Sequence, residues 1–269
     1  MVQPLSTSVP VDGVSRCARY SFGPNRLHLC GPDANREVLA YLTAKESGQG
    51  LENLLHKFKT LYPYLEMIAH ANGIADPFDE RIVESYWLGN ELLTPITPQM
   101  LLTHFTDALK LKKRLTARNF DHLTATLQYH PLPHHNFHVF NVWQRTGHAE
   151  TEHTLESMDK CRVSWGKVIL IDGPFITVSR QPLILSHCHP ALDAGSRQKK
   201  LKGNPNRLIL GSPNPYRITR RLDDDSLMEE VKEGDTISIH WDMPCEILNP
   251  QQLKNLIHYT KLSLQFSLI

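Results

Sequence analysis

The chain has 269 residues, 41% of them hydrophobic and 21% charged, with a formal net charge of +1. That balance fits a folded globular protein and excludes disordered and fibrous classes, and so small a net charge leaves only local patches to attract nucleic acid or membrane. No apolar run approaches the roughly 20 residues that cross a bilayer, and the opening MVQPLSTSVPVDG lacks the basic flank and apolar centre of a secretory signal, so a cytoplasmic, non-membrane protein is expected.

Residues 1–20 are polar and proline-bearing and read as a flexible tail. Leu51, Leu54, Leu55, Phe58, Tyr62 and Leu65 then recur at three and four residues, the stripe of an amphipathic helix, with Pro63 set to kink or split it. Thr97-Pro98 is a cap followed by a first-turn proline, and Leu101, Leu102, Phe105, Ala108 and Leu109 continue the stripe to a basic end. An all-helical domain over 21–128 is expected. A connector over 129–160 follows, where HPLPHH breaks the helix and NFHVFNVW alternates like a strand, leaving His134, His135 and His138 as solvated surface. Residues 167–171 and 175–178 read as strands around Asp172-Gly173-Pro174, TISIHW after Gly234-Asp235 reads as another, and Asn249-Pro250 caps a final helix. The expected fold class is α+β: the helical domain, then a small β-barrel over 161–269 that carries an insertion at about 186–225 and a C-terminal helix.

Five cysteines and fifteen histidines are present. No cysteine pair is spaced as Cys-x-x-Cys, so neither a zinc ribbon nor a thioredoxin-like motif is expected. His187, Cys188 and His189 place three ligand types almost adjacently and form a secondary metal-site candidate. Between Arg197 and Arg221 every charged residue is basic; Lys199, Lys200, Lys202 and Arg207 are the partner-binding candidates of this exposed loop, facing an acidic protein or, less favoured, nucleic acid. Phosphate loop, nucleophile elbow and HExxH motifs are all missing, so no catalytic residue is assigned and an enzyme is not expected.

Two sets of residues carry a resemblance. Cys161, then RVSW, Gly166-Lys167-Val168 and Ile171-Asp172-Gly173, followed later by Gly234-Asp235, TISI and His240, resemble the motifs of the HypC/HupF hydrogenase maturation chaperones over about 161–265. Over its whole length the chain also resembles an uncharacterised bacterial family with Cys-Gly-Pro-Asp and His-Trp-Asp signatures, here 30–33 and 240–242, that tends to accompany nickel–iron hydrogenase genes. The resemblance implies a HypC-like, OB-type barrel and a maturation-chaperone-like accessory role. It also implies an iron centre held by Cys161 and His240, with a hydrogenase large subunit or other maturation proteins as partner. Thiolate and imidazole suit low-spin iron, a soft donor beside a borderline one. In the chaperones the cysteine becomes N-terminal, whereas Cys161 lies mid-chain. The alternative is a non-catalytic nucleic-acid- or protein-binding adaptor that uses the basic insertion.

Overall fold

The structure, a computed structural model, describes residues 12–142, 153–187, 206–222 and 225–267. Eight helices come first: α1 (Gly13–Arg26), α2 (Asn35–Ala44), α3 (Gln49–Leu55), α4 (Leu61–Ala71), α5 (Glu80–Trp87), α6 (Pro98–Thr103), α7 (Leu111–Arg114) and α8 (Ala117–Thr126). Then come α9 (His135–Val142), α10 (Leu155–Cys161) and, after the strands, α11 (Pro250–Gln265). The caps are local and legible. Thr97 accepts from Met100 N–H with Pro98 in the first turn, and Asn249 and Gln252 form a reciprocal capping box on α11. Pro63 falls in the first turn of α4, where its missing N–H costs little, so the long stripe is split between α3 and α4.

Two expectations about the helices are corrected. Residues 13–20 do not belong to a tail: Asp12 caps α1, and Cys17, Ala18 and Tyr20 are fully buried. The stripe is hard to read because its core-facing positions are Cys17, Tyr20, Ser21 and Pro24 rather than leucines. NFHVFNVW is not a strand either. Residues 135–142 form α9, whose eight residues are all buried, so helical periodicity has no polar face to reveal it.

The strands are β1 (Ser164–Asp172), β2 (Phe175–Arg180), β3 (Leu183–His187), β4 (Asn206–Leu210), β5 (Asn214–Thr219), β6 (Arg221–Leu222), β7 (Asp225–Ser226), β8 (Thr236–His240) and β9 (Met243–Ile247). Five of them make an antiparallel sheet in the order β5-β2-β1-β8-β9, and β3–β4 and β6–β7 are separate two-stranded ribbons. Asp172 pairs with Phe175, so Gly173-Pro174 is the two-residue turn, with Gly173 at φ +52° taking the position that needs a positive angle. The expected barrel is corrected to an open sheet. The end of β5 meets the β8–β9 turn through one backbone bond, Thr219 N–H to Asp242 C=O at 3.2 Å, and no ladder joins β5 to β9. The expected insertion also supplies structure: β5 pairs along the whole of β2, and Ile218 is buried in the sheet's own core.

One core joins the helices to the sheet. Cys17, Tyr20, Tyr64, Tyr86 and Trp87 pack in the same cluster as Val163, Met243, Cys245 and Leu256. A smaller cluster of Val168, Ile176, Val178, Ile218, Ile237 and Ile239 fills the other face of the sheet. Among the described residues no helix is long and apolar enough to cross a membrane.

Candidate metal centre

Strand pairing brings Cys161 to His240. Cys161 ends α10 just before β1, and His240 ends β8. The antiparallel register Ser164↔Ile239 and the bond from Trp241 N–H to Lys160 C=O at 2.8 Å carry the two ends to one place. A third residue arrives from α9: the ligand atoms of His135, Cys161 and His240 lie within 4.8 Å of one another. A first-row metal with bonds of about 2.0–2.3 Å holds its donors roughly 3–4 Å apart, so side-chain adjustments of about 1 Å suffice to close the set.

Asn136, fully buried beside His135, fixes the spacing of α9 to the cysteine segment. Its Oδ1 accepts Val163 N–H at 2.8 Å, and its Nδ2 donates to Val163 C=O at 2.9 Å and to Thr260 Oγ1 at 2.8 Å. Below the cysteine, Asp159 holds two buried guanidiniums: Arg162 Nε at 2.9 Å and Arg180 Nη1 at 2.8 Å. It also accepts Leu183 N–H at 2.8 Å. Cys161 thus stands half-buried on a braced turn between helix and strand.

The histidine tautomers follow from their carbonyl partners. His135 Nε2–H donates to Cys161 C=O at 2.9 Å, which puts the lone pair on Nδ1, where the Tyr86 hydroxyl lies at 3.2 Å. His240 Nδ1–H donates to Tyr20 C=O at 2.5 Å, leaving the lone pair on Nε2. That Nε2 is buried and has no hydrogen-bond partner among the described residues. The buried Nε2 atoms of His104 and His134 are open in the same way, so it is the nearness of Cys161 and His135 that fits His240 to a coordinating role. Burial lowers the His240 pKa to about 4 against the opposing pull of the Tyr20 and Cys161 carbonyls, and burial followed by His240 itself drives His135 well below its ordinary value. Both imidazoles are therefore neutral near pH 7, the form that binds a metal. Trp87 packs against both, its ring 4.6 Å from His135 and 5.4 Å from His240, and the two imidazoles meet edge-on at 5.0 Å.

Over the triad lies a small pocket, with a cavity volume of about 70 Å³, which Cys30 also lines. The Cys-Gly-Pro-Asp segment is held there by Asn25 Nδ2, which donates to Cys30 C=O at 2.9 Å and Pro32 C=O at 2.7 Å. Gly31 has φ +85°, and a Cβ there would fall 2.3 Å from the Phe58 ring, so this position requires glycine. Burial pushes the Cys30 thiol up to about 12. In His-Trp-Asp the last two residues are the tight β8–β9 turn, both with positive φ, Trp241 at +51° and Asp242 at +62°.

Residues 9–267 match a single family along almost the entire chain. The chain belongs to DUF6390, a family of unknown function. No curated protein and no solved structure matches it. Of the residues singled out in this DUF6390 sequence, Cys161 and His240 come together, and His135 joins them. His134, His135 and His138, expected at the surface, are instead buried. Reading residues 136 onward as a helix puts His135 and His138 on one face, the signal that finds the third donor. His187 lies in β3, and Cys188, His189, Lys199, Lys200 and Lys202 lie outside the described residues. Arg207 is exposed on β4.

Proposed function

We propose that this protein is a non-catalytic, metal-holding accessory factor whose centre is built from Cys161, His240 and His135. The observation that supports it most directly is the gathering of ligand atoms of His135, Cys161 and His240 within 4.8 Å of one another, with the buried Nε2 of His240 open. A thiolate with two imidazoles is a donor set for soft or borderline first-row ions, iron, copper and zinc among them. The resemblance to the HypC/HupF chaperones selects iron, and with it a hydrogenase large subunit or another maturation protein as the partner to which the ion passes. Bound iron would supply a centre with positions left for small ligands or for a partner's side chains.

The residues of the chain have separable parts in this role. Cys161 loses its proton when it coordinates, so retention should weaken as pH falls. Tyr20 C=O holds His240 in the coordinating tautomer, and Cys161 C=O does the same for His135. The Tyr86 hydroxyl occupies the lone pair of His135 and must swing aside, which favours a cargo that is held and released. Of the four residues named for the adaptor reading only Arg207 is described, and the neighbouring Arg217, Arg220 and Arg221 pair with Asp172 and Glu229 of the chain itself.

Anaerobic expression in iron-supplemented medium, then elemental analysis after passage over a weak chelator, tests the proposal. About one iron per chain is expected in the wild type and less than a tenth of that in Cys161→Ser and His240→Ala. An ion-free wild type, or variants that keep the wild-type content, would sink it. Co-purification with a hydrogenase large subunit tests the partner separately.

A further inference from the structure

The walls of the pocket over the triad have a definite chemical character. Among the described residues, no Lys, Arg, Asp or Glu lines it. Its exposed lining is mainly apolar, with Pro24, Leu29, Phe58, Leu61, Trp87 and Trp241 among the residues that form it. Three of the polar side chains that line it have partners within the protein. Ser21 Oγ donates to Cys17 C=O at 2.7 Å, His138 Nδ1 meets the Tyr64 hydroxyl at 3.0 Å, and His153 Nδ1 meets Ser157 Oγ at 3.0 Å.

An anion entering this space would lose its water against apolar walls and ring faces whose quadrupole is negative, with only the triad-bound ion to offset that loss. A neutral molecule with a flat apolar body gains on every wall. At the floor, three protein donors fill only part of the coordination sphere of a first-row ion.

We infer that the pocket is a binding site for a neutral, mostly apolar small molecule that presents a single nitrogen or sulfur donor to the triad-bound metal. The site therefore selects against carboxylates and phosphates, and it holds its ligand by the apolar body as much as by the donor atom. This inference rests on the metal-holding reading above.

Cobalt(II) serves as a spectroscopic stand-in for the resident ion. Loaded wild-type protein is expected to show cobalt–thiolate absorption. Titration with 4-phenylimidazole is expected to shift the visible bands with a Kd at least about tenfold below that of imidazole, since the added ring is buried against apolar walls. Sodium acetate and sodium phosphate at the same concentrations should leave the bands unchanged. Cobalt–thiolate absorption with no azole response, with no gain from the phenyl ring, or with an equal response to the anions overturns the pocket assignment and leaves the metal reading standing. No cobalt–thiolate absorption at all overturns both.

Discussion

The side chain of His240 and the backbone of Tyr20, 220 positions apart, are joined by one hydrogen bond, Nδ1–H to C=O at 2.5 Å, that ties the end of β8 to the middle of α1. Tyr20 is held in turn. Its hydroxyl lies 2.7 Å from Glu246 Oε1 and 2.8 Å from Ser238 Oγ, and its ring stacks on Trp87 at 5.1 Å. The carbonyl that sets the imidazole tautomer is therefore immobilised from both sides. Replacing His240 by Ala strands that carbonyl in the interior and should cost about 1–3 kcal/mol in urea unfolding, along with the loss of bound metal. Tyr20→Phe keeps the carbonyl and should retain metal while losing about 1–2 kcal/mol, because Ser238 and Glu246 each lose a partner. A Tyr20→Phe protein that folds stably but binds no ion would mean the hydroxyl network acts on the site itself.

Acid should unfold the protein steeply. Burial lowers the pKa of His104, His134 and His138 to about 3 and of His240 to about 4, and His135 falls well below its ordinary value. An unfolded histidine titrates near 6.5, so below that pH the unfolded chain takes up protons that the folded one refuses. Stability is complete above about pH 6.5 and drains as pH falls toward the folded values, by roughly 1.4 kcal/mol per pH unit for each histidine. Thermal melts should superimpose between pH 7 and 8 and fall sharply below pH 6.5. A Tm that stays constant down to pH 5 would show that these imidazoles are solvated.

Asn136→Ala removes both bonds to Val163 and the one to Thr260 without touching a proposed ligand. It should cost about 2–3 kcal/mol, because buried backbone groups of Val163 lose their partner, and lower metal affinity about 10–100-fold through misplacement of His135 against Cys161. Cobalt titration of the folded variant reads the second effect apart from the first. An unchanged affinity would show that α9 is positioned by packing alone.

Asp159→Ala leaves Arg162 and Arg180, 1% and 3% exposed, without the carboxylate that offsets their burial. A loss of about 3–5 kcal/mol is expected in chemical denaturation. A loss under about 1 kcal/mol would mean that water replaces the carboxylate.

The sequence makes the punctuated features legible. Thr97-Pro98, Asn249-Pro250 and the turn at Gly173 act within a few residues, and each forms where its chemistry puts it. The pairing of Cys161 with His240 is anticipated only through the resemblance to the HypC/HupF chaperones, and the register of β1 with β8 is what brings the two ends together. What stays hidden is buried on all sides. Residues 135–142 have no polar face, so their period gives no signal, and three histidines in that region look like surface until Tyr64, Tyr86 and Trp87 are known to cover them. The barrel is misjudged for a different reason. Alternation along a strand shows which face is buried but not whether the two edge strands pair.

The three proposed ligands have a further consequence for how the chain holds together. They come from α9, α10 and β8, with the first two 26 positions apart and a longer stretch before the third. An ion shared among them is a reversible cross-link that closes two loops at once. On the loop-entropy scale used for disulfides, links over such spans are each worth about 3–5 kcal/mol, provided the ion stays on the unfolded chain. Delivering the cargo would then remove a staple as well as an ion, and the emptied protein would be the softer of the two forms.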